Sequence, residues 1–141
     1  MNILIVNDDS IFLNEVSDYL SYLKITPFTA QTSVQAIDVL IKTNIQAVFC
    51  EGRILQQNAS KLLKHIKKNY PQVFVIAIVP GYEVSSALSL IENGVFDYIK
   101  KPAELSEFNI LLVKIMNNIA EDNIKIKKYH YLLDELEMHI N

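Results

Sequence analysis

The stretch Ile3-Leu4-Ile5-Val6-Asn7-Asp8-Asp9-Ser10, ILIVNDDS, sets the reading of the whole chain. Four consecutive apolar residues without alternation describe a strand buried on both faces, the condition inside a parallel sheet. The run then breaks into an amide and two carboxylates, so polar groups gather at the carboxyl end of that strand.

Working outward, short apolar runs alternate with helical patterns. Ile11, Phe12, Val16, Tyr19, Leu20 and Leu23 recur at helical spacing. Residues 27–30 read as a weak strand whose Pro27 suggests a sheet edge. Ser33 reads as the N-cap of a helix carrying Val34, Ile37, Leu40 and Ile41. Residues 47–50, Ala-Val-Phe-Cys, form a third strand that runs into Glu51-Gly52-Arg53. A polar loop follows, then a helix marked by Leu62, Leu63 and Ile66 and closed by Tyr70-Pro71. Residues 73–79 are a fourth strand, rich in β-branched side chains. Pro80-Gly81 turns the chain into a helix with Val84, Ala87, Leu88 and Ile91. Asn93-Gly94 stops that helix, with glycine free to take a left-handed cap. Residues 95–99 are a fifth strand, and Lys101-Pro102 opens a last helix from Ala103.

Five strands alternating with helices predict an α/β, flavodoxin-like, doubly wound parallel sheet, with right-handed crossovers covering both faces. In such folds chemistry sits at the carboxyl ends of the strands. Those ends are Asn7, Asp8 and Asp9, then Glu51, then Val79, then Lys101. The winding predicts that Asp8, Glu51 and Lys101 converge.

Composition narrows the function. The 141 residues are half apolar with only three glycines, which fits one globular domain rather than a disordered or fibrous chain. A net charge of −3 gives no drive toward nucleic acid. Lys61, Lys64, Lys67 and Lys68 have the spacing of a solvated helix face. The longest apolar run, residues 73–79, is too short to cross a bilayer. The N-terminus lacks a basic leader, so the expected location is cytoplasmic. Cys50 is the single cysteine, set among apolar neighbours, and reads as a buried, inert thiol. His65, His130 and His139 lack metal-ligand spacing. There is no Gly-rich phosphate loop, G-x-S-x-G or C-x-x-C. A flavodoxin-like cofactor-binding enzyme is the alternative from another class; the lack of a phosphate-cradling loop after the first strand speaks against it.

Four segments, ILIVNDDS, AVFCE, VIAIVP and GVFDYIKKP, stand in order on this five-strand pattern. Together they resemble the receiver domain of bacterial two-component response regulators, the CheY-like family, over residues 1 to about 120. The resemblance implies a sheet order of 2-1-3-4-5 and a non-enzymatic module that meets a histidine kinase or a downstream effector. It also implies a site. Two acidic residues after the first strand hold Mg²⁺, an Asp after the third accepts a phosphoryl group, and a Thr or Ser after the fourth bonds it. A Lys before a Pro after the fifth strand neutralises it, and an aromatic residue three positions earlier changes rotamer.

This sequence departs at three of those places. The acidic pair becomes Asn7 and Asp8, which leaves Asp8 as the carboxylate for any weak Mg²⁺ binding. Taking Asp9 as half of the pair is the alternative register. Glu51 replaces the phosphoacceptor and Val79 the hydroxyl residue. Lys101 with Pro102 is kept, and Tyr98 stands at the switch position. Mg²⁺ needs near-octahedral oxygen ligands, and phosphoryl transfer depends on positioning. Glu51 is one methylene too long and Val79 offers no donor. The expectation is an atypical, pseudo-receiver domain that works by protein–protein contact across the face of its fourth and fifth predicted helices and the tail. Glu51 is expected to pair with Lys101. A weakly phosphorylatable receiver using Asp8 or Asp9 is the rival within the family.

The chain then runs on without Gly or Pro to Asn141. Positions 105, 108, 112, 115, 119, 126, 129, 133, 136 and 140 are all apolar or aromatic, a heptad stripe broken only by Asp122. The expectation is that residues 121–141 extend the last helix into a coiled coil and a homodimer. The alternative is a break near Asp122-Asn123, with a further helix folding back.

Overall fold

The computed structural model describes residues 1–56, 61–102, 104–121 and 126–140. Five parallel strands form one sheet: β1 (Asn2–Val6), β2 (Thr26–Ala30), β3 (Ala47–Glu51), β4 (Phe74–Pro80) and β5 (Asp97–Lys101). Their order is β2-β1-β3-β4-β5, as expected. Between them lie α1 (Ser10–Tyr22), α2 (Ser33–Lys42), a short α3 (Gly52–Gln56), α4 (Lys61–Asn69) and α5 (Val84–Glu92), the last preceded by a 3-10 turn, Gly81–Glu83.

Hydrophobic burial explains the layers. Leu4, Val6, Val48, Cys50, Val75, Ala77 and Val79 turn to one face, where they join Leu40, Leu55, Leu63, Ile66 and Leu90 of the helices in one buried cluster. Ile3, Ile5, Phe49, Ile76 and Ile78 alternate with them onto the opposite face and are also buried. Burial on both faces is why these runs show no polar alternation.

Local chemistry sets the element ends. Pro27 lies on β2, an edge strand, where a missing N–H is tolerated. The cap of α2 is Thr32 rather than Ser33: the Thr32 hydroxyl accepts from the Gln35 N–H at 3.2 Å. The chain after β3 is helical at once over α3, where a polar loop was expected; the remainder of that expected loop, residues 57–60, lies outside the described residues. Gly94 takes φ 107°, so the predicted stop holds. The turn also takes Val95, whose N–H donates to the Leu90 carbonyl, while the Phe96 N–H already reaches the Val75 carbonyl of β4; β5 itself begins at Asp97, two residues later than expected.

The chain divides into two compact units, Met1–Lys101 and Pro102–Asn141. The second holds α6 (Leu105–Glu121) and α7 (Ile126–Ile140), which pack on each other. One continuous terminal helix is therefore replaced by two. The expected start at Ala103 and the break at Asp122-Asn123 fall outside the described residues. Phe108, Leu112, Ile115 and Leu136 of the stripe are buried, but so are Leu111, Met116 and Leu132 beside it, while Leu105 is exposed.

Candidate functional site

Strand pleat and register decide which groups meet. Val6 pairs with Cys50, so Asn7 and Glu51 follow on neighbouring strand ends. Asn7 and Glu51 share the parity of Ile5 and Phe49, and Lys101 that of Ile99. All three therefore turn to the same side of the sheet. Val79 and Tyr98 have the other parity and pack with the core cluster. Tyr98 is a packed strand residue, and Val79 is buried at 1% exposure.

Asn7 extends the β1 ladder, its N–H donating to the Ala30 carbonyl at 3.0 Å. Its side chain is buried, and its Oδ1 accepts from the Asp9 N–H at 2.9 Å. This short-range turn shapes the loop. Asp9 caps α1, its carboxylate accepting from the Ile11 and Phe12 N–H groups. Asp9 is thereby engaged at the start of α1. Asp8 is exposed.

Glu51 and Lys101 do not pair. The Glu51 carboxylate is held by Arg53, whose Nε and Nη2 both donate to Oε1, at 2.9 and 2.7 Å. Arg53 Nη2 also reaches Asp8 Oδ2 at 3.4 Å. Lys101 instead places its Nζ over the Phe12 ring, 4.4 Å from the centroid. The physical reason is reach. The short α3 begins directly after β3 and turns Arg53 back within two residues of Glu51. A planar guanidinium with several donors then outcompetes a single ammonium. The hydrogen bond to Glu51, then the charges of Glu51 and Asp8, push the Arg53 guanidinium above its already high value. The Glu51 side chain is only 12% exposed, and its second oxygen, Oε2, is buried without a hydrogen-bond partner, as is Asn7 Nδ2.

Gly52 fits Val79 closely. A Cβ at position 52 would stand 2.8 Å from Val79 Cγ1, so the branched side chain fills the space beside the strand end. No hydroxyl can be presented there. Cys50 is buried behind the site. Burial, then the neighbouring charge of Glu51, push its thiol well up, as an inert thiol requires.

These groups do not fit the Mg²⁺ that the fold implies. An amide stands for one carboxylate, and the two remaining carboxylates already share a guanidinium. Among the described residues no three His, Cys, Asp or Glu side chains converge to hold a metal. Arg53 is the residue sequence reasoning missed; its one signal was its place two residues after Glu51.

Comparison with known proteins agrees with the geometry. The family model described as response regulator receiver domain matches residues 3–112. A response regulator described as NtrX-like from Rickettsia bellii is 28% identical over 142 aligned positions, covering 98% of this chain and 29% of that protein. The DNA-binding transcriptional regulator NtrC of Escherichia coli is 24% identical, covering 83% of this chain and 25% of that protein. This chain thus spans under a third of the length of these relatives. Among solved structures, a response regulator receiver domain protein from Clostridium thermocellum superposes with a TM-score of 0.78 at 21% identity, covering 86% of this chain and 98% of that one. NtrX from Brucella abortus superposes with a TM-score of 0.76 at 24% identity, covering 83% of this chain and 27% of that one. Sheet order and a family match over most of the chain agree, and the chain belongs to the response regulator receiver domain family.

Proposed function

We propose that this receiver domain signals through protein–protein contact and not through a phosphoryl group on its own third-strand carboxylate. The observation that carries this reading is the Glu51 carboxylate, whose Oε1 is taken by two N–H groups of Arg53. With one oxygen engaged by Arg53 and the other, Oε2, buried, this carboxylate is poorly placed to meet a phosphodonor. Val79, closed over Gly52, adds a second obstacle, since no hydroxyl is available to bond a transferred oxygen.

The partners of such a module are a histidine kinase or a downstream effector, met through exposed helix surface. Tyr82, Leu88 and Ile91 are exposed apolar residues on and just before α5. No described helix is long and apolar enough to cross a membrane. Self-association through the C-terminal helices belongs to the same reading; among the described residues of α6 and α7, Leu105, Ile110 and Met138 are exposed apolar side chains.

The test is to incubate the protein with acetyl phosphate and Mg²⁺, and separately with beryllofluoride. Intact mass and amide chemical shifts are then followed. The expected result is no phosphoryl mass increase and no shift of the β4 or β5 amides. A stoichiometric adduct on Glu51 or Asp8 sinks the reading.

A further inference from the structure

Asp8 and Glu51 follow one another across the ends of neighbouring strands, and both approach one cation. That cation is Arg53. It meets Glu51 Oε1 at 2.7 Å and Asp8 Oδ2 at 3.4 Å through the same nitrogen, Nη2. Two carboxylates and one guanidinium leave a single net negative charge. The buried side of the cluster carries two unpartnered polar atoms, Asn7 Nδ2 and Glu51 Oε2. One is a donor and the other an acceptor, and neither adds charge to the site beyond that of the Glu51 carboxylate.

We propose that the Arg53 guanidinium is the resident cation of this site, occupying the carboxylates that a divalent ion would otherwise take and making the domain indifferent to Mg²⁺. This deepens the reading of the site given above: it names the residue that excludes the metal. Charge and geometry both support it. A hard divalent ion seeks several anionic oxygens. Here the first of them is held by two N–H bonds from a group that does not lose its proton. A metal entering must displace Arg53 from Glu51 and then sit beside its positive charge. The Arg53 side chain is 62% exposed, so its removal frees the carboxylates without opening the core.

The assignment makes a prediction of gain rather than loss. Mn²⁺ is the probe, since its free aqua ion has a strong paramagnetic signal that falls on binding. Wild-type protein is expected to leave the signal at its buffer value. Arg53→Ala is expected to withdraw Mn²⁺ with an affinity at least about tenfold higher than wild type, in competition with Mg²⁺. Arg53→Lys, which keeps a positive charge, should resemble wild type, and Arg53→Ala with Asp8→Asn should lose the gain. Should Arg53→Ala fail to melt as a native protein, Arg53→Gln carries the same comparison. Mn²⁺ binding by wild type as tight as by Arg53→Ala overturns the assignment, and so does a folded Arg53→Ala that binds no better than wild type. The outcome is separable from the acetyl phosphate test, which reads a covalent adduct on the wild-type protein and requires no variant.

Discussion

At the scale of single residues, Glu51 and Arg53 carry most of what distinguishes this domain. The Glu51 carboxylate is mostly buried while the Arg53 head is largely exposed, so solvent weakens the pair on one side only. A double-mutant cycle with Glu51→Gln and Arg53→Met is expected to give a favourable coupling that shrinks at high salt, read from urea unfolding. A coupling near zero would mean that the contact is incidental. Cys50 gives a second check. Its buried thiol should resist Ellman's reagent in native protein at pH 8 and react at once in denaturant. The sign with pH follows. The folded thiol keeps its proton while the unfolded one ionises near its ordinary value of 9.0, so this contribution is intact below that pH and lost as pH rises beyond it. Asn7, Asp8, Glu51, Val79 and Lys101 were legible because strand ends can be counted from apolar runs. Arg53 was not. Sequence spacing says which residues end strands, but not which nearby cation wins a carboxylate, and the turn of α3 that decides it is tertiary.

At the scale of elements, the β3–α3 junction is the tightest place in the site. Gly52 has ordinary backbone angles, so its need is spatial. An added methyl would press on the stiff Val79 side chain. Gly52→Ala is expected to cost about 1–3 kcal/mol in unfolding free energy, with much of the loss recovered in Gly52→Ala/Val79→Ala. Failure of the second change to rescue the first would place the strain elsewhere. Apolar periodicity located every strand and every long helix of the first unit. What it could not place were ends set by one hydrogen bond or one dihedral. Thr32 took the cap from Ser33, and the Gly94 turn delayed β5. Such choices are worth about 0.5–2 kcal/mol each, too little to leave a periodic trace.

At the scale of the whole molecule, the sheet order was readable because parallel strands with crossover helices permit few windings. The tail was harder. A heptad stripe satisfies its apolar surface equally well on a second chain or on a neighbouring helix of the same chain, and the pattern alone does not choose. Here α7 packs on α6 and buries Leu132 and Leu136. Leu136→Ala is expected to cost about 2–5 kcal/mol in the second unit. Hydrogen exchange should show the loss as faster exchange across α6 and α7 while β1 and β3 keep their protection. An equal loss of protection in the sheet would mean that the two units unfold as one.

The edge strand has a consequence for self-templating. The Thr26 N–H points inward to the Met1 carbonyl, so in an alternating strand the nitrogen of residue 27 faces the open side. That residue is proline. The β2 margin of the sheet thus lacks one of the donors in its outward row, and an incoming strand from another molecule would find a gap where it needs a bond. Pro27→Val should restore the row, and seeded fibril growth after partial unfolding should then be faster than in the natural chain.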